Sequence, residues 1–172
     1  MDNDRLILPA IIILLILIAA VIIVAFAGNN TFSSGNIYFE YPKSWTQDHV
    51  VGDFSNSSLY SEVTLTSNIP DSTSPTSYII IQMQKKSQGT YNLPETNEIV
   101  MNTTNSTVGT TNIGNIKATQ LATYGPNVCE KVTIIETPYN YLILEYICPP
   151  TALNQTETDY NTILQSLMIQ WI

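Results

Sequence analysis

The chain has 172 residues, 14 acidic and 6 basic side chains, and a formal net charge of −8. It offers no basic face for neutralising phosphates, which excludes a nucleic-acid binder, and only Lys85 and Lys86 are adjacent, which argues against docking on anionic headgroups. With the first 27 residues set aside, about 145 remain, enough for one domain with a core.

Leu6 to Ala27 reads LILPAIIILLILIAAVIIVAFA, without a charge. As a helix it would rise about 33 Å, matching a hydrocarbon core of ~30 Å. Pro9 falls in the first turn, where its missing N–H costs little. Two readings stand. One is an uncleaved signal anchor: residues 1–5 cytoplasmic, 6–27 a transmembrane helix, 28–35 a polar linker, and 36–172 an extracytoplasmic domain. The other is a secreted chain cleaved after Ala27, because Ala25-Phe26-Ala27 has the small-x-small pattern of a cleavage site. The length of the apolar run and the Asp2/Asp4-bearing start favour the anchor. No cysteine directly follows the segment, so a lipoprotein anchor is excluded.

In the outer part, Asn36–Tyr41 alternates, with Ile37, Phe39 and Tyr41 on one face, and reads as a strand ended by Pro42. Pro42–Trp45 reads as a turn that tucks an aromatic back on the core. Strands are expected at Leu59–Ser67 and Tyr78–Lys85, with a loop over Asp71–Ser77. Asn92, Pro94 and Glu95 give a helix start, so a helix is expected over 93–103. Strands follow at 115–124, 128–137 and 140–148. The last helix is expected to start from a capping box at Thr156 and Asp159. Its apolar stripe is Tyr160, Ile163, Leu164 and Leu167.

Cys129 and Cys148 are the two cysteines. A hairpin closed at Thr137-Pro138-Tyr139-Asn140 places them directly opposite each other. A disulfide is expected there if the pair is non-hydrogen-bonded. The alternatives are two buried free thiols or, more remotely, a metal site, for which one His and two Cys are too few ligands. A bridge would support an oxidising, extracytoplasmic compartment.

His49, beside Asp48 and Asp53, is the single histidine and reads as a surface residue. The carboxylate pairs Glu95/Glu98 and Glu157/Asp159 fit the first turns of helices, where the helix dipole favours them. No nucleophile elbow, zinc-protease motif or phosphate-cradling loop occurs, so no catalytic residue, metal or cofactor is assigned. Candidate N-glycosylation sequons lie at Asn29, Asn56, Asn102, Asn105 and Asn154. Tyr38, Tyr41 and Trp45, with Phe32 and Phe39, are either a core cluster or the lining of an aromatic groove.

The pattern Phe32-x4-Ile37-x-Phe39-x-Tyr41-Pro42-x2-Trp45 resembles the opening of PsbP-like domains. The order of elements through a closing helix near Ile163-Leu164-Gln165-Ser166 is similar too, over about residues 32–170. The likeness is strongest to the membrane-anchored or secreted PsbP-related proteins of methanogenic archaea. The resemblance implies an α+β fold, an α/β/α sandwich with a central antiparallel sheet. Such a sandwich would explain apolar residues on both sides of the last hairpin, Ile134/Ile143 and Ile135/Leu142. Together with the anchor and the lack of a catalytic constellation, it implies a non-catalytic binding or assembly domain whose partner is a protein, an envelope component or a small ligand. The competing readings are an envelope carbohydrate-processing hydrolase with paired carboxylates, and a purely structural envelope protein.

Overall fold

A computed structural model describes residues 28–67, 76–86 and 106–170. The apolar segment 6–27, the helix expected over 93–103, Asn102 and Asn105 lie outside the described residues, as does most of the Asp71–Ser77 loop. Among the described residues no helix is long and apolar enough to cross a membrane.

The elements in chain order are β1 (Asn30–Ser34), β2 (Ile37–Tyr41), β3 (Trp45–Val51), β4 (Tyr60–Ser67), β5 (Tyr78–Lys85), β6 (Ser106–Ile113), β7 (Ile116–Tyr124), β8 (Cys129–Glu136), β9 (Asn140–Cys148), α1 (Leu153–Ser166) and β10 (Met168–Ile169). They form a seven-stranded sheet, ordered β3-β4-β5-β9-β8-β7-β6, and a three-stranded sheet, ordered β1-β2-β10. Every pairing is antiparallel.

Alternation assigns the faces of the large sheet. Val63 and Leu65 of β4, Ile79, Ile81 and Met83 of β5, Leu142, Leu144 and Tyr146 of β9, and Ile135 of β8 point into the core and are almost wholly buried. Each such side chain contributes ~1.5–3 kcal/mol of burial. The stripe of α1, Tyr160, Ile163 and Leu164, packs into the same core, with Leu167 just beyond the helix. Tyr160 stacks on Tyr146 with ring centroids 5.2 Å apart. Phe32 and Phe39 of the small sheet stack at 5.0 Å and join the core with Ile37 and Tyr41.

The small sheet is tied to the helix end. Ser166 Oγ accepts the Glu40 N–H at 2.9 Å and lies 3.2 Å from the Glu40 carbonyl. The Gln170 N–H donates to the Asn36 carbonyl at 2.8 Å.

The expected α/β/α sandwich is overturned. The described chain is mostly strand, in two antiparallel sheets, and α1, the single helix among the described residues, packs on one face of the large sheet. The small sheet supplies the rest of that layer: residues 30–34, expected as linker, are β1, while 45–51, expected to follow a turn, are β3 at the edge of the large sheet. The other face carries Glu62, Thr64, Gln82, Glu130 and Glu145 among its apolar residues, all half-buried. A second helical layer would have to desolvate those carboxylates. Of the two apolar pairs in the last hairpin, Ile135/Leu142 is fully buried and Ile134/Ile143 only partly.

The last helix begins three residues before Thr156, at Leu153, with Ala152 as its cap and no side-chain capping bond. Thr156 is inside the helix instead. Its hydroxyl lies 3.0 Å from the Ala152 carbonyl and 2.7 Å from the Tyr146 hydroxyl. The turn is set by the two prolines before it: the Ala152 N–H donates to the Pro149 carbonyl at 2.9 Å.

The Cys129–Cys148 register is as expected, and the bridge is absent: both cysteines are buried free thiols. Parity gives the reason. The Thr137 N–H donates to the Asn140 carbonyl at 2.9 Å, so that pair is hydrogen-bonded. Eight residues further along each uninterrupted strand, Cys129 and Cys148 fall in the same class. In such pairs the Cβ atoms stand at the wide end of the ~4.5–5.5 Å range, beyond the ~3.8 Å typical of a disulfide. Burial pushes the Cys148 thiol above its ordinary pKa.

Candidate functional site

Most side chains singled out from sequence serve the fold. Trp45 is 1% exposed, and its indole N–H donates to Asp159 Oδ2 at 2.7 Å, pinning β3 to α1. Tyr41, Phe39 and Phe32 are core residues. Tyr38 faces the opposite side of β2, where its hydroxyl donates to Glu40 Oε1 at 3.2 Å. Burial, then the Glu40 carboxylate, raises its pKa. These aromatics therefore share no groove face.

Glu157 and Asp159 are also engaged structurally. Glu157 pairs with Lys131, which points into the sheet's inner face and is 9% exposed. Burial lowers the Lys131 pKa, but Glu157 and Tyr124 together outweigh it and hold the ammonium above the usual lysine value. His49 is exposed at a bulge in edge strand β3, opposite Thr64. Asp53 accepts the Ser55 N–H at 3.0 Å and the Ser58 hydroxyl. Those bonds hold its carboxyl down at about 2.

The three described sequons differ in access. Asn29 is exposed and donates to Glu40 Oε2 at 3.2 Å. Asn56 Oδ1 accepts from Asn36 at 2.6 Å and from Asn140 at 3.5 Å, inside a knot of amides. Asn154 is exposed, but its sequon threonine, Thr156, is 3% exposed and bonded to Tyr146.

On the outer sheet face, Glu145 is raised in pKa by burial, then by a hydrogen bond and charge from Glu130 and the charge of Glu62. Glu130 and Glu145 act on each other through a side-chain hydrogen bond and like charge. Neither of the two described cavities is lined by a carboxylate. Among the described residues no group of three or more His, Cys, Asp and Glu stands together as a metal site.

The larger of the two described cavities, about 260 Å³, lies between the end of the β6–β7 hairpin and α1. Thr111, Asn112, Ile113 and Gly114 line it from the hairpin, and Asn161, Leu164 and Gln165 from the helix. Gly114, at φ 57°, makes the tight turn that closes the hairpin. Ile113 and Leu164 form a buried apolar floor, while Asn161 and Gln165 are exposed amides at its rim. No lining side chain titrates near neutral pH. The cavity therefore suits uncharged groups that make amide and hydroxyl hydrogen bonds over an apolar base. It is smaller than the ~300–1,000 Å³ of sites for drug-sized ligands, so it fits one side chain or one small ring. Sequence reading assigned no element to residues 106–113. The run Thr107, Val108, Thr110 and Thr111, β-branched at four of five positions, was the available signal.

No family model and no curated protein matches the chain. Solved structures do. LpqN of Mycobacterium tuberculosis, described as involved in cell envelope biogenesis, matches with a TM-score of 0.54 at 13% identity, covering 84% of this chain and 91% of LpqN. The cyanobacterial PsbP protein (CyanoP) of Synechocystis matches with a TM-score of 0.51 at 10% identity, covering 84% and 94%. The fold is PsbP-like. A protein of Bacteroides thetaiotaomicron matches with a TM-score of 0.51 at 12% identity over 82% of this chain, which spans about half of that longer protein, 48%. At these identities the likeness shows the fold alone.

Proposed function

We propose that this chain is a non-catalytic binding or assembly module, held at the outer face of a membrane by residues 6–27 as a signal anchor. The observation that carries the binding reading is the cleft between the β6–β7 hairpin and α1. It is concave, amide-rimmed and apolar-floored, and none of its lining groups is an acid, base or charged nucleophile. The description of LpqN as an envelope-biogenesis protein is compatible with it. The anchored arrangement, of the type seen in the PsbP-related archaeal proteins that the sequence resembles, rests on the uncharged run from Leu6 to Ala27. With Cys129 and Cys148 free, the outward orientation rests on that segment alone. Because β1 starts at Asn30, only two residues separate Ala27 from the first strand, a reach of ~7 Å.

The test is a photoreactive amino acid at position 161 of the full chain in its native membranes, with position 117 as control. Lys117 is exposed on the opposite face of the sheet. A discrete crosslinked product from position 161 and none from 117 is the expected result. Equal, diffuse labelling from both would refute a binding role for the cleft. Protease added outside intact cells should remove the domain, and protection from it would refute the outward orientation.

A further inference from the structure

We propose that β6 receives an extended, uncharged segment of a partner protein as an added antiparallel strand, with one side chain of that segment seated in the cleft beside α1. This deepens the binding reading above and rests on it.

The two edges of the seven-stranded sheet are built differently. At β3 the register is broken by a bulge between Gln47 and His49, and Asp48 and His49 stand at the break. Bulges and charges of this kind stop strand addition. At β6 the eight residues pair with β7 without a shift, and the strand contains no charge and no proline.

Hydrogen-bond parity shows what that edge presents. The Gly125 N–H donates to the Val128 carbonyl at 2.9 Å, which makes Gly125/Val128 a hydrogen-bonded pair of the β7–β8 hairpin. Counting back in steps of two, Thr123, Leu121, Thr119 and Lys117 spend their backbone groups on β8. The alternate residues of β7 face β6, where they meet Thr107, Gly109, Thr111 and Ile113. The N–H and C=O groups of Val108, Thr110 and Asn112 therefore point away from the sheet. Among the described residues they have no backbone partner. Their side chains are exposed, Val108 at 52%. Such an edge is a template for a further strand.

The cleft lies where a side chain of that strand would go. Thr107, Gly109 and Thr111 point to the inner face of the sheet, the face that α1 covers. A residue of the added strand beside them would point the same way, toward Asn161 and Gln165. Gly109 leaves the approach open, since a Cβ there would meet nothing within 4 Å. A second copy of this chain fits poorly. Pairing two β6 strands would offer the 260 Å³ cleft only threonine, glycine and Ile113, which is already buried in its own core, and would bring together two chains of net charge −8. A neutral foreign strand with one larger apolar or amide side chain satisfies both the edge and the cavity.

The experiment uses the full chain in non-ionic detergent micelles and a phage-displayed library of random dodecapeptides. A selected peptide is then synthesised and its affinity measured by fluorescence anisotropy. Thr110→Pro removes one outward N–H and no bond to β7, and proline is tolerated at such edge positions. Asn161→Trp fills the cleft and leaves β6 untouched. The expected result is at least a tenfold loss of affinity in each variant, with an unchanged circular dichroism spectrum. The amides of Val108, Thr110 and Asn112 should exchange more slowly with peptide bound. No selected peptide, or one that binds both variants as well as the parent, overturns the proposal. So does a dimer in sedimentation that Thr110→Pro dissolves, which assigns the edge to a second copy. If the position-161 crosslink in membranes persists unchanged in Thr110→Pro, strand addition fails while the binding role of the cleft stands.

Discussion

Thr133 offers the sharpest test of the packing between α1 and the sheet. Its side chain is wholly buried on β8. Its hydroxyl accepts from Gln120 Nε2 at 3.0 Å and lies 2.6 Å from the Tyr160 hydroxyl. Burial raises the Tyr160 pKa, so that hydroxyl stays a neutral donor across the ordinary pH range. Thr133→Val keeps the volume and β-branching and removes both bonds. Tyr160 is then left with the Leu144 carbonyl at 3.4 Å, too long for a strong bond. Two net bonds and one poorly satisfied buried hydroxyl amount to about 2–3 kcal/mol. Tyr160→Phe leaves Thr133 its Gln120 bond and should cost about 1 kcal/mol. The double variant has no tyrosine hydroxyl to strand, so its cost should be about 2 kcal/mol, at least ~1 kcal/mol below the sum of the single variants. Urea unfolding of the full chain in detergent, followed by Trp45 fluorescence in a Trp171→Phe background, measures all three. Additivity within ~0.5 kcal/mol would show that Gln120, Thr133 and Tyr160 do not act as one network.

Gly35 closes the β1–β2 turn at φ 51°, and a Cβ there would overlap the backbone of Asp53 and Phe54; Gly35→Ala should lower stability by at least ~2 kcal/mol in the same assay. The Asp53 carboxyl is held at about 2, below its unfolded value, so its contribution is present above ~4 and lost as pH falls through about 2. Asp53→Asn should therefore lower stability at neutral pH and flatten the acid limb of an unfolding titration. Glu145 has the opposite sign: burial and Glu130 raise its folded pKa, so its ionised form costs stability at neutral pH, and the cost disappears as pH falls through the raised value. Glu145→Gln should stabilise the neutral protein by up to ~1 kcal/mol, and a loss of stability would refute the like-charge reading. Cys129 and Cys148 should resist a thiol reagent until the protein unfolds and then titrate as two thiols, whereas an intact mass two hydrogens light would show a bridge.

Strands with strict alternation were legible in the sequence. Ile37–Tyr41, Tyr78–Lys85 and Asn140–Cys148 stand within a residue of their expected limits, because one face of each is buried and the other is not. The Cys129–Cys148 register followed from the proline-containing turn, but the hydrogen-bonding class of the pair depends on the backbone bond at Thr137, which residue types do not encode. The elements missed are those whose stability is tertiary. Apart from Trp45, β3 is exposed along its whole length, and β10 has two residues and exists only by pairing with β2. The start of α1 was misplaced because Thr156 and Asp159 imitate a capping box while bonding to Tyr146 and Trp45 from inside the helix. The candidate cleft was illegible for a related reason: its two walls are about fifty residues apart in the chain, and neither wall carries a recognisable motif.

The bonds from Ser166 to Glu40 and from Gln170 to Asn36 join residues more than 120 positions apart. The first hairpin of the domain is thus completed by its last strand. Ring closure on this scale makes folding slow relative to a helical bundle of the same size. It also sets an order of events during synthesis: β2 cannot acquire its β10 neighbour until residue 170 has emerged from the ribosome. A nascent chain stalled before β10 would hold an unfinished core, with Ile37 and Phe39 lacking part of their cover. Folding of this domain is therefore completed only once β10 has cleared the ribosome.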